Sequence, residues 1–210
     1  PEFRIEYDYS IVPVHPVDST NLTIRVYNDG NTEIGYDLFL QAPSGWSAGF
    51  SDLSNDPGAT SGSTGLIPKN GQMDVSMQFV PPQVSTAAGA QRIVTLTAIS
   101  QTEPSQTWEF DIPLEVMEVR EVELLLESNI GTPRPDALLN LLFTIENRGN
   151  VDMTLIPTLS LPTGWSSQTS LQPIEMNWTE QSKNILISIK GNGNALSGDI
   201  QLNLDVGVQR

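Results

Sequence analysis

Five glutamates near the middle of the sequence form its densest group of side chains that could do chemistry. They are Glu115, Glu118, Glu121, Glu123 and Glu127. Two carboxylates at a suitable separation can hydrolyse a glycosidic bond, and several together can bind calcium. Carboxylates that alternate along a strand, however, most often form a solvated face. We therefore predict a solvated face here, with a calcium site as the alternative.

A second group of oxygen ligands surrounds the tetrapeptide Asn28-Asp29-Gly30-Asn31. The candidate calcium ligands are Asn28, Asp29, Asn31 and Glu33. The tetrapeptide returns 119 residues later, but Arg148 stands there in the place of Asp29 and would face the cation with a positive charge. The pattern therefore favours a turn, in which Gly30 and Gly149 adopt positive φ and the asparagine side chains bond to backbone.

This chain has almost no residues for chemistry that depends on histidine or cysteine. There is no cysteine, and the single histidine, His15, lies in a proline-rich segment. Thiolate nucleophiles and cysteine–histidine zinc sites are therefore excluded. A Ser-His-Asp triad would have to use His15, and no nucleophile-elbow sequence accompanies it. We expect His15 to be a structural surface residue, and the chain not to be an enzyme.

Net charge limits the partners that the chain can have. Ten Lys and Arg oppose 25 Asp and Glu, which gives a formal net charge of −15. Such acidity repels the phosphate backbone of nucleic acids and anionic membrane surfaces. No apolar run approaches the roughly 18 residues of a spanning helix. We expect no nucleic-acid partner and no membrane insertion, and the absence of cysteine fits a prokaryotic surface protein.

An internal repeat with an offset of 119 residues shows which elements hold these side chains. Pro43-Ser44-Gly45-Trp46 aligns with Pro162-Thr163-Gly164-Trp165, and ten of the 27 positions in 21–47 are identical at this offset. Chance would give roughly one or two identities. We interpret this motif as a turn that places Trp46 and Trp165 in a core, with sugar stacking on an exposed indole as the alternative.

Short alternating strands separated by Gly, Pro, Asn and Asp run through both copies. The pattern predicts an all-β chain of two tandem immunoglobulin-like β-sandwich domains, 1–118 and 119–210. No Gly/Ser-rich linker separates them, so we expect a stiff pair, and the calcium alternative would lie at their junction. The first residue is Pro1 and no signal peptide is visible, so we expect a part of a longer protein.

Two differences separate the copies. Trp46 to Val75 spans 29 positions and Trp165 to Ile185 spans 20, so the first copy has nine more residues, in the Ser/Gly-rich stretch 51–65. We predict a long exposed loop there. At the other end, 93–97 aligns with 200–204, and the second copy then lacks the last strand that the first has at 107–116. Its edge would be open to another strand: we expect that the chain is cut within this domain, and the alternative is a strand supplied from beyond Arg210 or by a partner molecule.

The N-x-G-N turn followed about a dozen residues later by P-[ST]-G-W resembles the Ig-like modules associated with secreted α-galactosidases and related prokaryotic enzymes, which also recur in archaeal S-layer-type surface proteins. The resemblance covers both copies. It implies a seven-stranded sandwich that serves as a spacer, stalk or accessory domain. It implies no shared ligand.

These observations predict a non-catalytic spacer or adhesion module of a larger extracellular, S-layer-like and archaeal cell-surface protein. Its partners would be neighbouring modules, other surface proteins or glycans. The alternative is an accessory carbohydrate-binding module of a secreted hydrolase, which needs exposed aromatic rings where a spacer needs Trp46 and Trp165 buried. Asn21 and Asn177 match the N-glycosylation acceptor pattern and are the candidate modification sites.

Overall fold

The computed structural model describes residues 3–53, 58–82, 86–132, 134–195 and 202–208, and all regular structure in them is β-strand. The predicted all-β class is therefore confirmed. Contacts divide the chain into two compact units, Pro1–Glu118 (unit 1) and Val119–Arg210 (unit 2). That the units are independently folding tandem domains stays a prediction. The part of the chain that the structure describes contains no helix that could cross a membrane.

Unit 1 is built from two sheets whose strands alternate inward apolar and outward polar residues. Its strands are β1 (Phe3–Glu6), β2 (Val12–Val14), β3 (Thr20–Asn28), β4 (Ile34–Gln41), β5 (Ser47–Phe50), β6 (Ser61–Ile67), β7 (Gln72–Val80), β8 (Gln91–Ser100) and β9 (Thr107–Val116). One sheet has the order β1-β3-β7-β5 and the other β2-β9-β8-β4-β6. These orders contain the A-B-E-D and G-F-C arrangements of an immunoglobulin sandwich.

Unit 2 repeats this arrangement with fewer strands. They are β10 (Val122–Ile130), β11 (Leu138–Asn147), β12 (Met153–Ser160), β13 (Trp165–Ser167), β14 (Ile174–Met176), β15 (Ser182–Gly191) and β16 (Asn203–Val208). The sheets have the orders β10-β11-β15-β13 and β14-β12-β16. Within the described residues β16 pairs with β12 alone, whereas β8 lies between β4 and β9. No described strand takes the place of β9.

The ladders correct the predicted alignment of β16. In unit 1 Leu40 lies opposite Leu96, and in unit 2 the matching Leu159 lies opposite Leu204. Leu96 therefore corresponds to Leu204, one position later than the prediction that paired 93–97 with 200–204. Because side chains alternate between faces, the predicted register would have put Asn203 into the core. Residues 200 and 201, on which that alignment relied, lie outside the described residues.

The predicted exposed loop at 51–65 is partly wrong. Residues 54–57 lie outside the described residues, but β6 begins at Ser61 and pairs with β4 at the edge of the five-stranded sheet. Its inward residue Thr64 is buried and accepts a hydrogen bond from the Tyr36 N–H at 3.0 Å. Gly62 lies so close to Leu53 that a Cβ would meet it at 2.5 Å. Serine and glycine, which suggested a loop, here form an edge strand against neighbouring chain.

Candidate functional site

The two P-[ST]-G-W motifs form the same turn in both units. Gly45 and Gly164 have φ of 80° and 89°, a backbone conformation that favours glycine. The N–H of each tryptophan donates to the carbonyl of the motif's proline, at 3.0 and 3.1 Å. Trp46 and Trp165 are each 8% exposed and belong to the cores of their units. The prediction that they are core residues is confirmed, and neither indole offers a face to a sugar.

Asn28 fixes the N-x-G-N turn of unit 1. Its side chain is fully buried and donates to the carbonyls of Thr32, Ile67 and Pro68, at 2.8, 3.0 and 3.1 Å. Its side-chain oxygen accepts the Gly30 N–H at 3.0 Å. The amide thus joins the β3–β4 turn to the chain that follows β6. Its polar atoms serve the backbone, which is the turn interpretation of the motif.

In unit 2 the same motif contacts the start of the unit. The buried Asn150 accepts the Val119 N–H at 2.8 Å through its side-chain oxygen. A Cβ on Gly149 would meet the Val119 carbonyl oxygen at 2.3 Å, so this position requires close approach. The predicted positive φ of Gly30 and Gly149 is wrong, since neither is among the described glycines with positive φ. Gly149 is needed for space rather than for a left-handed backbone.

An ion pair beside this turn is inverted between the units. In unit 1 Arg4 Nε lies 2.9 Å from Asp29 Oδ2. In unit 2 Arg148 lies 2.8 Å from Glu123 Oε2, and each of these two residues is 119 positions after its counterpart of opposite charge. The hydrogen bond to the carboxylate is the main cause that raises the pKa of each arginine above its ordinary value. Sequence reasoning missed this pair, although the paired change of sign was visible.

Two clefts lie on the outer face of the sheet β1-β3-β7-β5. The first, of about 320 Å³, contains Arg25 between Glu6 and Asp74, with Arg25 Nε 3.1 Å from Asp74 Oδ1. Hydrogen bonding to Tyr27 and then to Asp74 raises the pKa of Arg25. The second, of about 410 Å³, is lined mainly by small polar side chains. The one basic side chain in these clefts, Arg25, is already paired with Asp74, so this face resembles a solvated surface more than a reactive site.

The five glutamates are divided between the two units. Glu115 and Glu118 belong to unit 1, and Glu121, Glu123 and Glu127 belong to unit 2. Glu115 accepts a hydrogen bond from Gln91 at 3.0 Å, and Glu123 pairs with an arginine. Among the described residues, no group of three or more His, Cys, Asp or Glu side chains could hold a metal ion. Calcium at the junction stays a prediction.

His15 caps the turn that links β2 to β3. Its Nδ1 accepts the Asp18 N–H at 3.1 Å, and its own N–H donates to the Thr20 hydroxyl at 3.2 Å. A ring nitrogen that accepts a backbone N–H holds a turn. The predicted structural role of His15 agrees with this geometry.

Both predicted glycosylation acceptors are exposed. Asn21 projects from the outer face of β3, together with the exposed Thr23 of its acceptor triplet. Asn177 lies in the turn between β14 and β15, where its carbonyl accepts the Glu180 N–H at 2.8 Å. The side chains are accessible to a transferase. Whether either is modified stays a prediction.

Exposed apolar residues differ in kind between the units. Among the described residues, the large exposed aromatic side chains are Tyr9 and Phe39, both in unit 1. In unit 2 they are aliphatic, and three leucines share the outer face of β10, β11 and β15. The three leucines are Leu125, Leu142 and Leu186. Their counterparts in unit 1 are Glu6, Thr23 and Ser76. The scaffold recurs, while the outer surface does not.

No protein-family model matches the sequence, and no curated protein matches it significantly. Among solved structures, the chain is similar to the secreted serine protease VesC from Vibrio cholerae at 11% identity and a TM-score of 0.38, over 99% of this chain and 50% of that one. It is similar to the CupB2 chaperone of Pseudomonas aeruginosa at 8% identity and a TM-score of 0.34, over 95% and 98%. It is also similar to the PapD-like domain 7 of human CEP192, at 16% identity and a TM-score of 0.34, over 55% of this chain and 84% of that one. At TM-scores this low the similarities carry no functional argument, and the chain spans half the length of the protease.

Proposed function

We propose that the chain is a non-catalytic structural module of a larger extracellular surface protein, in which it spaces or presents other parts. The observation that carries this proposal is that the residues that recur in both copies are used for packing and for backbone hydrogen bonds. Trp46 and Trp165 fill cores, and Asn28 and its counterpart Asn147 bond to backbone. Residues kept for a ligand would leave polar atoms or ring faces open to it.

Location and partners follow the same proposal. An acidic surface with a net charge of −15 and no cysteine suits a prokaryotic cell surface, and the sequence motifs resemble those of S-layer-type modules. The partners would be neighbouring modules of the same protein, other surface proteins or glycans. The exposed acceptor asparagines suit an extracellular chain.

The strand pairing of unit 1 suits a spacer that carries tension. β2 lies parallel to β9, with Val12 opposite Leu114 and Val14 opposite Val116, and the Met117 N–H donates to the Val14 carbonyl at 2.9 Å. Tension on the two ends of unit 1 pulls these strands in opposite directions along their axes. Their hydrogen bonds must then break together rather than one after another. The described part of unit 2 contains no parallel pair.

Single-molecule force spectroscopy on the whole chain tests this proposal. We expect two unfolding events, with the longer release of unit 1 at the higher force. Met117→Pro removes the N–H that donates to Val14 and should lower the unit 1 force, whereas Met117→Ala keeps the N–H and should leave it unchanged. Unfolding of unit 1 at or below the force of unit 2 would contradict a role in carrying tension.

The alternative, a carbohydrate-binding accessory module, rests on Phe39. This ring is 43% exposed on the outer face of β4, opposite Thr97 in β8 and Ser61 in β6. A single ring among small polar side chains is a minimal platform for a sugar. NMR titration with soluble polysaccharides decides: we expect no saturable shifts near Phe39, and shifts abolished by Phe39→Ala would favour the alternative.

A further inference from the structure

The outer surface of strands β10, β11 and β15 in unit 2 carries a group of aliphatic side chains, which we call the aliphatic face. It comprises Leu125, Ile130, Leu138, Leu142 and Leu186. Ile130, Leu138 and Leu186 are 67%, 51% and 54% exposed, and the other two are half-buried. Leu142 lies directly opposite Leu186 in the ladder, so their side chains are neighbours on this surface.

The fold does not require aliphatic residues at these positions. In unit 1 the residues that match Leu125, Leu142 and Leu186 are polar, and the same sheet forms there. A contiguous apolar patch on the outside of a sheet is typical of a surface that another molecule covers. The aliphatic face is therefore a candidate interaction surface.

Opposite charges flank the aliphatic face at its two ends. At the end where β11 finishes, Glu123 and Glu146 both pair with Arg148, which leaves one negative charge. At the other end lies the exposed Lys190, which pairs with no carboxylate among the described residues. Between Glu146 and Leu138 the outward side chains of β11 and β15 are uncharged. The surface thus has an acidic end, an apolar middle and a basic end.

We propose that the aliphatic face binds the same face of a second copy of the chain. The two-fold axis lies between the stacked sheets and runs across their strands, so each strand packs on its own copy in the opposite direction. Leu142 and Leu186, at the middle of their strands, then meet their own copies. Leu125 comes opposite the partner's Ile130, and Lys190 comes to the acidic end of the partner. The arrangement satisfies both copies identically.

Charge and area define the strength of this contact. Unit 2 has six Lys and Arg against ten Asp and Glu, a net charge of −4, whereas unit 1 has four against 15, a net charge of −11. Pairing through unit 2 therefore costs the least repulsion. Three strands about 4.8 Å apart and roughly nine residues long give a face of about 400 Å². A stable dimer buries about 800 Å² per partner, so we expect a weak dimer. The proposal does not depend on whether unit 1 bears tension.

Sedimentation of the whole chain from micromolar to millimolar concentration tests the proposal. We expect a reversible dimer, and dilution of the ¹⁵N-labelled chain should shift amide signals of β10, β11 and β15. Leu142→Thr with Leu186→Ser installs the residues of unit 1 and should raise the dissociation constant at least about tenfold, because both copies lose apolar contact. Leu186→Ser alone should act in the same direction. The matched control Leu66→Ser removes a leucine of unit 1 that is 64% exposed and should change nothing.

A charge reversal tests the orientation of the two copies. Lys190→Glu should weaken the dimer several-fold at low salt, and this loss should shrink near 1 M salt, where the Debye length is about 3 Å. Lys69→Glu makes the same change of charge in unit 1 and should have much less effect. Equal effects of the two reversals would overturn the proposed axis.

Three further outcomes overturn the proposal. The first is a chain that stays monomeric at millimolar concentration. The second is a dimer that the leucine variants leave unchanged, or that Leu66→Ser weakens equally. The third is a shift of the same three strands by phosphatidylcholine vesicles without any dimer, which would make a lipid surface the occupant.

Discussion

Units 1 and 2 have the same turns but close their cores differently. In unit 1 a single cluster of 23 buried apolar side chains fills the space between the sheets. In the described part of unit 2 the core is two clusters, of seven side chains around Trp165 and four around Ile145. The difference coincides with β2 and β9, neither of which has a counterpart among the described strands of unit 2. Turn residues therefore specify the arrangement of the strands, while these two strands complete the burial in unit 1.

The outer faces of the two units differ in sequence, while the interior residues are retained. The inverted ion pair keeps its position while its charges exchange places, from Arg4 and Asp29 to Glu123 and Arg148. Interior residues such as Trp46 and Trp165 are retained instead. A repeat can change its surface freely provided each change is matched by its neighbour.

The largest effect expected from a substitution is the loss of the motif tryptophan. Trp165→Ala should destabilise unit 2 by about 3–5 kcal/mol, because a large buried ring leaves a cavity. Trp165→Phe should cost much less, since it keeps a ring and removes an Nε1–H that is buried with no hydrogen-bond partner within the described residues. Urea unfolding followed by NMR signals of unit 2 measures both. Red-shifted, readily quenched native fluorescence from Trp46 and Trp165 would contradict their burial.

A smaller effect should distinguish the two asparagine turns. Asn28→Asp removes a buried donor from three carbonyls, so we expect a loss of about 2–4 kcal/mol in unit 1. The matched change Asn147→Asp should cost less than about 1 kcal/mol, because one contact, to the Asn177 carbonyl at 3.4 Å, depends on the Asn147 donor. Urea unfolding of each variant gives the difference. Equal losses would show that the buried bonds of Asn28 are not what holds its turn.

The smallest effect concerns the inverted ion pair. Arg148→Asp places three carboxylates together with Glu123 and Glu146, and should lower the melting temperature of unit 2. The double change Glu123→Arg with Arg148→Asp installs the charge order of unit 1 and should restore it. Both differences should vanish near 1 M salt, where the Debye length is about 3 Å. A double variant no more stable than the single one would mean that the pair has no specific role.

Much of the scaffold could be predicted because its residues are tied to one conformation. Proline, glycine and tryptophan at fixed spacing predicted both core indoles, and alternation predicted the all-β class. The predicted register of β16 is wrong, because the alignment starts from Ile93, an apolar residue of β8 that is 53% exposed and does not belong to the inward set. The cross-strand ladder from Leu159 to Leu204 gives the register.

Other features depend on distance between chain segments. Serine and glycine in 51–65 are typical of loops, but β6 uses them because Gly62 lies against Leu53. Gly149 suggested positive φ, whereas the requirement is space beside the Val119 carbonyl. The paired charge reversal was available in the sequence, since both positions change sign at the repeat offset.

Residue-level amide exchange along β8 and β16 tests most directly whether the units share a scaffold and differ in closure. Because β8 has a partner on each side from 95 to 99, its amides in this range should be protected throughout. In β16 every second amide, the one directed away from β12, should exchange orders of magnitude faster than its neighbours. Uniform protection along β16 equal to that of β8 would contradict the open edge and, with it, the difference between the units.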